Sequence, residues 1–128
     1  MKLYDRTGTE VPPSRKFFIY VSGPITPTAE FPSAEENSKR FYTVTRDLFV
    51  AGFSVYCPRQ AWVDDHPDFE REFTTHKYGN LWEEMLLMDE EIIRRADALY
   101  MLKGWMHSKG AVKEHNWALH HPKMIFYE

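Results

Sequence analysis

The sequence predicts an α/β sandwich, a mostly parallel sheet of four to five strands covered by helices on both faces. Three observations carry this. Short apolar runs of strand length, FFIYV (17–21), FSVYC (53–57), ALYML (98–102) and MIFY (124–127), alternate with segments of helical period. FFIYV is apolar throughout, which suits a strand buried on both sides. Each interval between runs is long enough for a helical crossover, which parallel neighbours require.

The elements follow in order. Residues 1–16 are polar and turn-rich, an N-terminal hairpin about Thr7-Gly8 or a tail, with PPSRK as a linker. The domain proper is then 17–128. Ser33 followed three places later by Glu36 forms a capping box. Phe41, Val44, Thr45 and Leu48 recur at helical spacing, and Gly52 suits the left-handed residue after a helix. Pro58 stops the second strand. Residues 58–79 are irregular, long enough for a lid or a short helix. Asn80, with Glu83 at the third position, caps a helix over LWEEMLLMDEEIIRRAD. KGWMHSKG reads as a loop, AVKEHNWALHH as a third helix ended by Pro122, and MIFY as the last strand.

Right-handed crossovers turn this order into a parallel sheet with helices on both faces. The chain is too short for two dinucleotide-binding halves, and SGPIT is not a GxGxxG turn. A small flavodoxin-like, Rossmann-like three-layer sandwich is therefore expected. Ligands of such sheets bind beyond the carboxyl ends of the strands, here SGPIT, CPRQAW and KGWMHSKG.

Composition narrows the partners. The net charge is −3 and the 16 Lys and Arg are scattered, whereas a long nucleic acid wants a basic stripe. One small phosphorylated ligand remains compatible. A single cysteine, Cys57, excludes an internal disulfide framework and suits a reducing cytosol. No apolar run approaches the ~20 residues of a membrane span, and no signal peptide opens the chain. The expectation is a soluble cytoplasmic protein without a membrane partner.

Two carboxylates stand out. On a wheel at about 100° per residue, Leu81, Met85, Met88, Ile92 and Ala96 share an arc flanked by Trp82 and Ile93. Asp89 falls inside it, while Glu83, Glu90, Glu91 and Arg94 lie opposite. A buried carboxylate must be neutralised, paired or facing a cavity. Alternatively the helix breaks near Met88 and Asp89 caps its second half. In the third helix Ala111, Val112, Ala118 and Leu119 form the inward arc, with Glu114 at its edge. A rim position, or a salt bridge to Lys109, Lys113 or an arginine, is the plain alternative for Glu114.

Taken together, the two acids flank the third strand. A pair of carboxylates at one cleft is what glycosidic cleavage requires, one to attack the anomeric carbon and one to protonate the leaving group. On this reading Asp89, deeper on an apolar face, is pushed up and acts as acid. Glu114, nearer a helix start, stays ionised and nucleophilic.

IYVSGPIT, AGFSVYCP, MDEEIIRRADALYML and SKGAVKEHNWAL, in that order, resemble the nucleoside 2-deoxyribosyltransferase family, which includes 2′-deoxynucleoside 5′-monophosphate N-glycosidases. The resemblance spans residues 17–128. Its most specific parts are the D-x-x-I-x-x-A-D block before the third strand and the S-x-G-x-x-x-E block after it. It implies that Glu114 forms a covalent 2-deoxyribosyl intermediate and that Asp89 assists departure of the base. It implies that Tyr20 and Gly23 form the floor and turn around the sugar, with Ser22, Pro24 and Ile25 in the same substrate-binding stretch. Backbone N–H groups of the 23–26 and Ser108–Gly110 turns would hold the 5′ end. Base-transferring members commonly carry an aspartate where this chain has Ser108, and the monophosphate hydrolases a serine, so a nucleotide substrate is favoured. The resemblance also implies a homodimer or larger homo-oligomer, and no cofactor.

Other constellations are plainer. His107, His115, His120 and His121 match no closed zinc spacing, so no metal is expected; His115 shares the arc of Ala111 and could reach a ligand. Trp62, Phe69, Phe73, Tyr78 and Trp105 are candidates to stack a base. Asn37 lies inward beside Phe41, either bonding the phosphate-side loop or serving as a buried amide. Leu87 points outward and suggests a subunit contact. Three activities compete: N-glycosidic cleavage by hydrolysis or base transfer, a nucleotide-binding or regulatory module without turnover, and NAD cleavage on a related fold.

Overall fold

The computed structural model describes residues 1–25, 27–58 and 81–128, and the side chains of all of these except 81–84. Trp62, Phe69, Phe73, Tyr78 and the proposed Asn80 cap lie outside the described residues.

Four strands form one all-parallel sheet: β1 (Phe18–Ser22), β2 (Ser54–Tyr56), β3 (Ala98–Met101) and β4 (Met124–Tyr127). Their spatial order is β2-β1-β3-β4, the doubly wound order of flavodoxin-like sheets. The chain leaves β1 in one direction and returns past it to β3. The connecting helices therefore fall on opposite faces when every crossover is right-handed. Helix α1 (Ala34–Ala51) covers one face; α2 (Leu81–Arg95) and α3 (Lys109–His120) cover the other. The sheet has four strands among the described residues, the lower end of the expected range.

Strand alternation sorts the core. Ile19 and Val21 of β1, with Ala98 and Tyr100 of β3, pack against Phe41, Val44 and Leu48 of α1. Tyr20, Leu99 and Met101 face the other way, against Ile93 and Ala96 of α2 and Ala111 and Ala118 of α3. This two-residue period sends Tyr20 and Ser22 to the face of α2 and α3.

The caps of α1 are local. Ser33 Oγ accepts the Glu36 N–H at 3.2 Å, and Gly52 closes the helix at φ 112°, a conformation that costs glycine little. The N-terminal segment is a hairpin: Tyr4 and Glu10 bridge, Asp5 Oδ1 accepts the Thr7 and Thr9 N–H groups, and Leu3 and Val11 join the α1-side core.

Two inward arcs need correction. In α2 the buried positions are Leu86, Asp89, Ile93 and Ala96, whereas Met88 is exposed. The run Met85–Met88 is apolar throughout, so it leaves the phase of the wheel open. In α3 Leu119 is exposed and Glu114 takes an inward place with Ala111 and Ala118. The helix also starts two residues earlier than expected, because Ser108 rather than a later residue caps it.

Candidate active site

At the carboxyl edge of the sheet, between β1 and β3, the strand order changes direction, the place where sheets of this kind bind ligands. Ser22, the last residue of β1, lies in register with Met101, and its carbonyl accepts the Leu102 N–H at 2.8 Å. Gly23 follows, where an added Cβ would stand 2.7 Å from Leu102 Cβ. A side chain there would drive the ends of β1 and β3 apart. Pro24 is buried and Ile25 half-buried beside it.

The loop after β1 is tied to α1. Asn37, 1% exposed, donates from Nδ2 to the Phe31 carbonyl at 3.2 Å. Arg40 lies 3.8 Å over the Phe31 ring and also binds the Lys103 carbonyl and Glu128. Gly104, at φ 87°, leaves room for that ring. These contacts fix the loop after β1 against α1 and the residues that follow β3.

Asp89 and Glu114 are both buried, at 7% and 6% exposure. Helix α2 runs unbroken through Asp89, so Asp89 is not a cap. Glu114 reaches the sheet: Ser22 Oγ donates to its Oε1 at 3.1 Å. Its Oε2 has no hydrogen-bond partner among the described residues, and neither has the Tyr20 hydroxyl. Tyr20 is fully buried and its ring stacks on Tyr56 at 5.5 Å. Among the described residues no lysine or arginine bears on Glu114; the groups that do are Asp89, Tyr20 and Ser22.

Electrostatics overturn one expectation. Burial pushes the Glu114 carboxyl up to about 8, the Asp89 charge adds to the push, and the Tyr20 and Ser22 hydroxyls partly hold it back. The sequence reading had Glu114 ionised by its helix start. Glu114 stands six positions past the Ser108 cap, beyond the first turn in which the helix dipole is felt. Desolvation therefore decides its proton affinity. The same surroundings push the Tyr20 phenol well up: burial first, then the charges of Glu114 and Asp89.

At the start of α3, Ser108 Oγ accepts the Ala111 N–H at 3.3 Å and its carbonyl accepts the Val112 N–H. The N–H groups of Lys109 and Gly110 are the first-turn donors that helix geometry leaves without a carbonyl. Gly110 stands one turn before Glu114, on the same side of the helix. His115 turns elsewhere: its ring stacks on Trp105 at 4.2 Å, and Nε2 is 2.8 Å from the Tyr127 hydroxyl. Trp105 also lines a hollow of about 240 Å³ with Met101, Lys103 and Tyr127. Among the described residues no three metal-ligating side chains converge.

The structure thus brings Tyr20, Ser22, Asp89 and Glu114 to one place. The part sequence reasoning missed is the Ser22–Glu114 bond. Its signal was the parity of β1, which puts Ser22 on the face of Tyr20.

A buried carboxyl held by a strand-end hydroxyl, at the switch point of a doubly wound sheet, marks a candidate functional site in an α/β protein. Residues 17–127 match the family described as Domain of unknown function (DUF4406), and the chain belongs to that family. No curated protein and no solved structure matches it. Among the described residues no helix is long and apolar enough to cross a membrane.

Proposed function

We propose that the protein cleaves the N-glycosidic bond of a 2′-deoxynucleoside 5′-monophosphate, or of the deoxynucleoside, through a covalent glycosyl-glutamate at Glu114. The observation that carries this is the buried Glu114 carboxylate, held by Ser22 and coupled to a second buried acid, Asp89. Glu114 attacks the anomeric carbon and Asp89 protonates the departing base. Water, or another base, then takes the sugar. Tyr20 and Gly23 would form the floor and turn around the sugar. The free N–H groups at the start of α3, with Lys109, suit a 5′-phosphate, one helical turn from Glu114. Trp105, which lines the hollow beside Met101, would be the described aromatic to meet a base. No metal or organic cofactor enters the mechanism.

The exposed Leu87 and Met88 on α2 support assembly into a homodimer or larger homo-oligomer, and a single, buried cysteine, Cys57, suits a cytoplasmic protein. The raised proton affinity of Glu114 favours a second reading: a nucleotide-binding or regulatory module of this fold without turnover, its glutamate kept protonated. Incubation with dGMP, dCMP, dTMP and the deoxynucleosides, with free base followed by chromatography, separates the two. Base release by the wild type, abolished in Glu114→Gln, is the expected result. Thermal stabilisation by a nucleotide with no base released would establish the second reading instead.

A further inference from the structure

We infer that Ser22 is a positioning residue for Glu114, fixing Oε1 so that Oε2 is the oxygen presented to the anomeric carbon. This rests on the reading of Glu114 as nucleophile, and it moves Ser22 from contact with substrate to control of the carboxylate.

Both side chains are buried, and the 3.1 Å bond joins residues 92 apart in sequence. The fold, not local chain geometry, makes it. The backbone of Ser22 is pinned by its register with Met101 and by the Leu102 N–H on its carbonyl. Its hydroxyl therefore moves only by rotation about one side-chain bond. The two oxygens of Glu114 are treated differently: Oε1 has a donor and Oε2 has none among the described residues. An oxygen left unserved in the interior is costly, so the asymmetry calls for an occupant. The Tyr20 hydroxyl, which makes no hydrogen bond of regular geometry among the described residues, also bears on the Glu114 carboxyl.

The chemistry follows from this asymmetry. A lone pair on Oε2 forms the bond to the anomeric carbon as the bond from that carbon to the base nitrogen breaks. That electron pair stays with the base, which takes a proton from Asp89, in the form of the pair whose single proton sits on Asp89 while Glu114 is ionised. Glu114 becomes an ester whose carbonyl oxygen is Oε1, still accepting from Ser22. In the second step a water oxygen bonds to the anomeric carbon and gives its proton back to Asp89. The pair of the ester bond returns to Oε2. A hydroxyl donating to Oε1 favours the ionised, attacking form of Glu114 over the protonated one. The titratable groups bearing on Glu114 are Asp89 from α2 and Tyr20 from β1, and a change at Ser22 alters neither directly.

The test is Ser22→Ala with Ser22→Cys, whose thiol is a weaker donor in the same place. For Ser22→Ala, kcat falls about 10- to 100-fold, as for loss of a hydrogen bond to a charged group. KM stays within about twofold, because only an interaction acting on the attacking group is lost. The rising limb of the pH–rate profile moves up by about one pH unit, and Ser22→Cys lies between. Independently of activity, carbon-13-labelled glutamate in the full chain reports the titration of Glu114 by NMR, and its midpoint rises in both variants. A midpoint that does not move in either variant, or a kcat that does not fall, overturns the inference. Wild-type protein that releases no base from any substrate overturns the nucleophile reading instead, while the NMR midpoint still decides whether Ser22 governs this carboxylate.

Discussion

Replacing Glu114 by glutamine should stabilise the protein at pH 7 and do so far less at pH 5. The carboxyl has its folded-state affinity raised from an ordinary 4.5 to about 8. Between those values the native protein keeps a proton that the unfolded chain has released. Stability from this group is thus complete below about 4.5, falls as pH rises through the window, and levels above about 8. At about 1.4 kcal/mol per pH unit, the two units from pH 5 to 7 remove on the order of 2 kcal/mol. Glu114 and Asp89 titrate as a pair, so the measured quantity belongs to both. For a chain of 128 residues that free energy corresponds to roughly 7 °C in Tm. Thermal and urea melts of both proteins at pH 5, 6, 7 and 8 supply the comparison, and the six histidines cancel in the difference. Equal pH slopes for wild type and variant would refute the reasoning, because they would mean that the carboxyl is solvated.

Two further outcomes are expected. If Glu114 attacks ionised while Asp89 holds the proton, the pair must keep one proton, so kcat/KM for base release falls roughly tenfold as pH rises from 7 to 9 through about 8; a profile still level across that range excludes this pair as the source of the proton. Gly23→Ala should cost about 1–3 kcal/mol by overpacking, since its Cβ would meet Leu102 Cβ at 2.7 Å; urea denaturation showing no loss would mean that the two strand ends can separate freely.

What the sequence revealed depended on how local each signal was. Both ends of α1 were legible because Ser33 and Gly52 act within one turn of the residues they cap. The strands were legible because β-formers cluster and punctuation follows them. The start of α3 was misplaced because Ser108, Lys109 and Gly110 look like a turn, although a serine cap and a first-turn glycine are compatible with a helix. Asp89 was found despite an error in the wheel, since it falls in the buried arc at either phase. The proton affinity of Glu114 was not legible. It depends on the sheet behind it and on Asp89, a residue of a different helix, and no local spacing encodes that. The Ser22–Glu114 bond was half legible: the parity of β1 puts Ser22 on the face of Tyr20, but which helix residue meets it depends on the fold.

Gly23 has a consequence for how such a protein can diversify. With no side chain there and Leu102 filling the space, the gap between the ends of β1 and β3 is bounded by main chain and the Leu102 side chain. Its width is set by bond lengths and strand spacing, quantities that amino-acid exchange does not adjust. Any change in what the cleft admits has to come from the groups leaning over that fixed gauge, Tyr20 among them.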